Sequence, residues 1–573
     1  FLLLAFPIRG QAADSITVTD DDNGVKVKYE LSQRRDSADT YSAAISFADE
    51  DAQPKALHIK STVTDETGTS YAIKNIERVA YKDSLQSVKI EEGITSMAGG
   101  AWENGYANSD IVTISFPSTL EDVEDGFLNW KDYPDSVSVP KWLSKMQPEN
   151  GVVYAGKVAV YVPSVAEETG AAKETAITFK DGCTKIAHKA LLGNTDVEKV
   201  NIPASVKAIG GAAFAGCTNL SQVNFAANAQ IEDLDWRAFY DCTALTSIRI
   251  PDSVTRIGND TFSGCTSMAT IDISKESKLT QIEYGAFGYY PCKGLDINSI
   301  WENKYVDNSY QSKYLWPNST SGIREHAGVP VKKIYIPAAV AATGLFAQSE
   351  TLEEVTFGKA ESIKKVELPF EMFAQCTNLK TVNFDGNVNK IGVAAFTGCK
   401  SLQSVNLDGV ESLDTYAFAK TGLKEVTIPQ SVSNVGASAF GSCTALETMT
   451  IESSLSGQSQ YARQLLDILG NIDYVKNDNL HTTNVQQNTP VRSNADFRKL
   501  YPNQTSLRVL NIKMDSNEKN VLEGRSNFVA HLPGLEKVTL PEGIKEIPSS
   551  TFLQCFSLKD VAIPESVQTI GTQ

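Results

Sequence analysis

The chain of 573 residues lacks most of what would make it an enzyme, a membrane span or a nucleic-acid binder. It has only five histidines, His58, His188, His326, His481 and His531, scattered without the spacing of a metal site. No G-x-S-x-G elbow, P-loop, G-x-G-x-x-G, H-E-x-x-H or C-x-x-C occurs, so the sequence offers no catalytic constellation and calls for no cofactor or metal. No apolar run reaches the roughly 18 residues of a membrane helix. Positive charge is in deficit, with 52 Lys and Arg against 69 Asp and Glu and a net charge of −17, which argues against electrostatic capture of nucleic acid or anionic membrane. The acidic cluster Glu121, Asp122, Glu124 and Asp125 is read as a solvated face rather than a glycosidase pair. In Thr19–Glu30, Asp21, Asn23, Gly24 and Glu30 match an EF-hand loop, but its first ligand position holds Thr19, so no calcium is expected there.

What is present is repetition. Residues 202–225, IPASVKAIGGAAFAGCTNLSQVNF, align without gaps to 250–273, IPDSVTRIGNDTFSGCTSMATIDI, and to 428–451, IPQSVSNVGASAFGSCTALETMTI. The shared frame is I-P-x-S-V-x-x-I-G-x-x-A-F-x-x-C-x-x-L-x-x-V-x-I, recurring at about 23 residues. In L-x-x-V-x-I the apolar residues alternate with an exposed one, the mark of a half-buried strand. Proline follows directly at Pro117, Pro140, Pro203, Pro251, Pro337, Pro429, Pro541 and Pro564, and its missing N–H ends the ladder. The A-F pair predicts a short helical or 3-10 turn on the opposite side, with Phe127, Phe214, Phe239, Phe262, Phe287, Phe346, Phe373, Phe396, Phe418, Phe440 and Phe552 stacked inside. One unit cannot bury its own apolar positions, so neighbours must stack into a solenoid.

These residues resemble the BspA-like branch of the leucine-rich repeat family, known from surface and secreted proteins of bacteria and some protists. The resemblance implies an α/β solenoid: a right-handed leucine-rich repeat superhelix with a parallel concave sheet and short helical or 3-10 turns on the convex side. Residues 59–573 form this solenoid, interrupted at about 288–332 and 452–506 and ending inside a repeat. Residues 14–58 precede it, and SITVTDDDNGVKVKYEL alternates on both sides of an Asn23-Gly24 hairpin turn, which predicts a small β-rich N-terminal cap. Residues 1–13 read as the remnant of a signal peptide, Phe1–Ile8 being apolar and Gly10-x-Ala12 supplying small residues for cleavage. Secretion or display on a bacterial surface is the implied location.

Nine cysteines in an exported chain would ordinarily suggest disulfides. Seven of them, Cys217, Cys242, Cys265, Cys376, Cys399, Cys443 and Cys555, share one slot three residues after the column phenylalanine, where other units carry Asn194, Ser349 or Thr421. That slot calls for a small side chain with hydrogen-bonding capacity, so free buried thiols are expected. Cys183 and Cys292 fall outside it.

The expected binding surface is the row of exposed strand residues, above all Gln222, Asn224, Arg249, Asp272, Asn383 and Asn406, polar and without an aromatic row. A second candidate is the first interruption, where Tyr289, Tyr290, Trp301, Tyr305, Tyr310, Tyr314 and Trp316 crowd together in a chain that is 9% aromatic overall. Such rings serve protein hot spots, sugar platforms or an irregular core. The second interruption predicts an amphipathic helix, YARQLLDILGNI, and a polar loop. The leading expectation is a monomeric, adhesin-like module that binds an extracellular protein. A glycan-binding surface protein using 288–332 is one alternative, and the accessory repeats of a surface hydrolase whose catalytic domain lies beyond residue 573 are the other.

Overall fold

A computed structural model describes residues 13–20, 23–34, 39–80, 82–99, 101, 111–124, 141–164, 175–283, 285–288, 328–337, 345–358, 366–458, 464–469, 506–515 and 517–572. The chain divides into two units, residues 1–245 and 246–573. Each is a β-solenoid of stacked coils, and each coil has three sides.

The first side is the expected strand. In unit 1, Ala176–Thr178, Lys199–Ile202 and Gln222–Phe225 pair in parallel, in register. In unit 2, Glu425–Ile428, Thr448–Ile451, Val509–Ile512, Lys537–Thr539 and Asp560–Ala562 form a five-strand parallel sheet. Proline follows Lys199–Ile202 and Glu425–Ile428 as the sequence predicts, and the chain turns there with Val206 N–H donating to Pro203 O at 3.3 Å and Val432 N–H to Pro429 O at 3.0 Å.

The second side holds strands of two to four residues that build another parallel ladder. In unit 1 it runs Lys185–Ile186, Ala208–Ile209, Asp233–Leu234, and in unit 2 Val366–Leu368, Val388–Ile391, Ser412–Leu413, Asn434–Val435. These strands insert into the core the isoleucine, valine or leucine that precedes the frame's glycine position, which Gly210, Gly392 and Gly436 fill and Ala187, Asp235 and Asp414 replace: Ile186, Ile209, Leu234, Ile391, Leu413 and Val435 are all buried.

The third side corrects the expected helical turn. Two residues before and two after each phenylalanine the backbone is left-handed: Ala212 (φ 54°) and Gly216 (φ 73°) around Phe214, Ala394 (φ 57°) and Gly398 (φ 79°) around Phe396. A left-handed residue cannot continue a right-handed helix. Instead it turns alternate N–H groups toward the next coil: Ala212, Phe214 and Gly216 donate to the carbonyls of Trp236, Ala238 and Tyr240 at 2.8, 2.8 and 2.7 Å. Ala394, Phe396 and Gly398 repeat the pattern on Thr415, Ala417 and Ala419 at 3.0, 2.8 and 2.8 Å. Among the described residues, the α-helices are Lys141–Lys145 and Leu465–Leu469.

The phenylalanine rings stack inside, as predicted. Phe214 and Phe239 lie 5.0 Å apart and 1° from parallel in unit 1. In unit 2 the stack runs Phe262, Phe287, Phe346, Phe373, Phe396, Phe418 and Phe440, at centroid distances of 6.1, 5.1, 6.0, 5.3, 5.2 and 5.7 Å. Phe552 is only partly buried, and Phe127 lies outside the described residues.

The cysteine slot has a definite partner. Cys242 Sγ donates to Phe214 O of the preceding coil at 3.2 Å, Cys376 to Phe346 O at 3.0 Å, Cys399 to Phe373 O at 3.2 Å and Cys443 to Phe418 O at 3.1 Å. Asn194 does the same with its amide, reaching Val162 O at 3.2 Å. The eight described cysteines are buried and form no disulfide with one another. Cys183 fills the position that Val206 holds one coil later, which explains its absence from the thiol slot. Cys292 lies outside the described residues.

Two expectations about the chain's irregular parts meet the structure differently. The second interruption contributes a coil of its own: Leu465–Leu469 sits on the turn side, Phe440 N–H donating to Ile468 O at 3.1 Å and Leu465 N–H to Phe528 O at 2.8 Å. The part of its expected helix within the described residues is Leu465–Leu469, where Leu465, Leu466, Ile468 and Leu469 face the core. The N-terminal segment is β-rich: Ala13–Thr19, Lys26–Gln33 and Thr40–Phe47 are antiparallel, and Thr40–Phe47 then pairs in parallel with Ser70–Val79. Ser70–Val79 leads through Ser96–Met97 to Asp122–Val123. The first strand starts at Ala13, the last residue of the expected leader, whose residues 1–12 lie outside the described set.

Candidate functional site

The alternation of V-x-I places every second strand residue outward, so the strand side carries rows of side chains one strand spacing (about 4.8 Å) apart. In unit 1 one row is Thr178, Asn201 and Asn224, in register. Asn224 Nδ2 donates to Asn201 Oδ1 at 3.0 Å, and Asn201 Nδ2 to Thr178 Oγ1 at 2.9 Å. Gln222 stands exposed in the adjacent row with Lys199 and Ala176.

In unit 2, Arg249 and Asp272 are exposed and in register on neighbouring strands, and Arg249 also approaches Asp252 at 3.9 Å. Asn383 and Asn406 are on the same side, but their carbonyls are engaged locally: Asn383 Oδ1 accepts from Asp385 N at 3.0 Å and Asn406 Oδ1 from Asp408 N at 2.9 Å. They shape the turns that leave the strand side, a role that residue type alone did not reveal. Sequence reasoning also passed over Tyr335, the outward residue between Ile334 and Ile336, in register with Thr356 and Asn383. Its ring crosses Gly358, where a Cβ would lie 1.7 Å from the Tyr335 hydroxyl oxygen. Only a residue without a side chain lets the tyrosine lie there.

The charges on this side are arranged in cross-strand groups. Glu353 is gripped by Lys380 at 2.7 Å and Lys332 at 3.5 Å, and Glu536 by Arg508 at 2.7 Å and Lys559 at 3.4 Å. Lys333 meets Glu354 at 2.6 Å and Lys537 meets Asp560 at 3.0 Å. The hydrogen bond from Lys380 holds the Glu353 carboxyl below the usual carboxylate range, and that from Arg508 does the same for Glu536. Such carboxylates are anions at neutral pH, and none is poised as a general acid. Of the acidic cluster, Glu121 meets Lys157 at 2.6 Å and Asp122 meets Lys185 at 2.9 Å, Glu124 accepts from Gly99 N at 3.2 Å, and Asp125 lies outside the described residues. Among the described residues no group of three or more histidine, cysteine and acidic side chains could hold a metal ion.

The aromatic candidates Tyr289, Tyr290, Trp301, Tyr305, Tyr310, Tyr314 and Trp316 lie outside the described residues.

A family profile described as "BspA type Leucine rich repeat region" matches in six copies over residues 62–149, 176–313, 366–482 and 505–573, well over half of the chain. The chain belongs to the BspA-type leucine-rich repeat family. Among solved structures it is similar to a leucine-rich repeat protein of Bacteroides ovatus, at 19% identity and TM-score 0.37, covering 77% of this chain and 91% of that one. It is similar to the pneumococcal vaccine antigen PcpA at 14% identity and TM-score 0.27, covering 97% and 98%. A leucine-rich cell surface protein of Faecalibacterium prausnitzii matches at 16% identity and TM-score 0.23, covering 96% and 95%. A comparison with curated proteins returns no match. All three TM-scores fall below 0.5, so the assignment to the BspA-type family rests on the repeat itself. The BspA-type frame maps directly onto the coil: V-x-I is the strand side, the residues before I-G the second ladder, and A-F-x-x-C the left-handed turn with its ring and thiol.

Proposed function

We propose that this BspA-type chain is an exported, non-catalytic binding module of the bacterial surface, adhesin-like, that engages an extracellular protein through its strand side. The observation that carries the reading is the set of exposed and half-buried hydroxyls, amides and cross-strand charge groups in registered rows within each unit, such as Thr178–Asn201–Asn224 in unit 1 and Thr450–Asn511 in unit 2. Such rows offer a partner many modest hydrogen bonds in a fixed geometry, which suits recognition by area rather than by one deep pocket. Export accords with the small-residue leader motif at Gly10-x-Ala12. The right-handed winding of the coils belongs to the same reading.

The test blocks the rows with long charged side chains. Gln222→Arg with Asn224→Arg in unit 1, or Thr448→Arg with Thr450→Arg in unit 2, should weaken capture of immobilised extracellular-matrix proteins about tenfold or more, with the melting curve unchanged. If both pairs bind like the parent while Trp301→Ala with Trp316→Ala loses binding on a glycan array, the glycan reading of 288–332 replaces this one. If neither changes any binding and a longer reading frame encodes a hydrolase domain, the accessory-repeat reading replaces both.

A further inference from the structure

A solenoid leaves an open strand edge on each parallel ladder, and an open edge is a template for pairing with another chain. At the N-terminal end of unit 1 the two ladders are closed by different means. The second ladder is extended by backbone pairing: Ser70–Val79 accepts Thr40–Phe47, and the antiparallel strands Lys26–Gln33 and Ala13–Thr19 follow. The first ladder begins at Ala56–Ile59, which pairs on one side with Ser87–Ile90. Lys55 O and Ile59 O point to that side, accepting from Gln86 N at 2.8 Å and Glu91 N at 2.9 Å. Alternation then points Ala56 O, His58 N and Lys60 N the other way, where no strand among the described residues pairs with them.

Each of these three groups is met by a side chain of the N-terminal hairpin. Asn23 Nδ2 donates to Ala56 O at 2.6 Å, His58 N donates to Asp20 Oδ2 at 3.0 Å, and Lys60 N donates to the Tyr29 hydroxyl oxygen at 3.0 Å. The three contacts follow one another along the strand edge, an acceptor met at Ala56 and donors met at His58 and Lys60. The lock is braced: Asn23 Nδ2 also donates to Asp20 Oδ2 at 3.2 Å, Asn23 Oδ1 accepts from Val25 N at 2.9 Å, and Gly24 N donates to Asp20 O at 2.8 Å. Asp20 and Tyr29 are 2% and 1% exposed, so both are set in the packing rather than hanging from the surface. Burial of the Tyr29 ring pushes its hydroxyl up to about pKa 12, so it stays protonated and keeps its place across the ordinary pH range.

We propose that Asp20, Asn23 and Tyr29 form a side-chain edge lock, a surrogate strand that closes the first ladder and keeps a second copy of this chain from adding to it. The occupant it excludes is another copy because Leu57 and Ile59 carry the same alternation as the chain's own V-x-I strands, which would continue the ladder in register. The lock therefore holds the protein monomeric and its strand side free for partners.

The test compares the full chain with Asp20→Ala/Asn23→Ala and, separately, with Tyr29→Phe, which keeps the ring and removes only the hydroxyl. Amide exchange should rise about tenfold at His58 in the first variant and at Lys60 in the second. The double variant should also form concentration-dependent dimers and larger species in sedimentation velocity, with circular dichroism of the parent type. Unchanged exchange at both amides would overturn the lock. Faster exchange with a strictly monomeric double variant would overturn its role against self-association. If the double variant fails to fold, Tyr29→Phe decides alone, by Lys60 exchange and by sedimentation at high concentration.

Discussion

A buried thiol in this fold works as a hydrogen-bond donor of fixed length. From its slot it reaches the carbonyl of the previous coil, and nothing in that geometry calls for oxidation. Desolvation pushes Cys217 up to about pKa 12 and Cys555 up to about 11, against about 8.5 for a free thiol. The folded state therefore favours the protonated thiol. That preference is fully present below pH 8.5, shrinks once the unfolded chain begins to ionise, and is lost as pH passes the folded values of about 11 to 12. Urea melts between pH 7 and 11 should show stability falling on the alkaline side, with a shallower fall in Cys217→Ser, which keeps the donor but not the thiol. In a Cys292→Ser background, a thiol reagent should label the eight buried cysteines only after denaturation. Rapid labelling of native protein at pH 7 would contradict the burial argument.

Glycine acts at the same scale where rings lie flat. A Cβ on Gly211 would meet Trp236 Nε1 at 2.4 Å, and the indole there sits 5.3 Å from the His188 ring. Gly211→Ala should push the indole out and cost about 1–3 kcal/mol. In a Trp236→Ala background the same change should cost almost nothing, and the cycle is read by denaturant melts with tryptophan fluorescence.

At the scale of the element, the strand side was legible because burial repeats there with period two and proline marks its end. The second ladder was not, because strands of two residues such as Lys185–Ile186 and Ala208–Ile209 are too short to show an alternation. The left-handed turn was hidden for another reason: the residue two before the ring is Ala212, Arg237, Asp260, Glu371, Tyr416 or Ser438, with no chemistry in common. Geometry imposed by neighbouring coils decides their backbone, at about 1–2 kcal/mol each, offset by the hydrogen bonds to the next coil. The candidate site was legible as polarity but not as use, since the local bonds of Asn383 and Asn406 depend on where the next turn falls. The second interruption shows the same limit. Its apolar periodicity marked a helix, while its docking on Phe440 and Phe528 required the stack. Leu465→Ala should thus cost about 2–5 kcal/mol, as a core position does. A loss below about 0.5 kcal/mol in a thermal or urea melt would make the segment a surface excursion instead.

Over a whole unit, stability is the sum of what each coil contributes and what each pair of neighbours shares. Phe396 illustrates this in unit 2, packed 5.3 Å from Phe373 and 5.2 Å from Phe418. Phe396→Ala removes these two stacking contacts and the edge contact with Phe384 at 6.0 Å and leaves a cavity, a loss of about 3–5 kcal/mol. Because coils touch only their neighbours, the damage should stay local. Hydrogen exchange should quicken in Val366–Leu368, Thr381–Asn383, Val388–Ile391 and Ser412–Leu413, and keep its parent rate in Val509–Ile512, Lys537–Thr539 and Asp560–Ala562. The hydrogen bonds of the turn side give a reason to expect a graded boundary, since Phe418 N–H and Lys420 N–H carry the stack on to Ala439 and Gly441 at 2.8 Å each. Acceleration of equal size from 366 to 562 would mean that unit 2 opens as one cooperative block, with each coil's stability set by the whole unit rather than by its two neighbours.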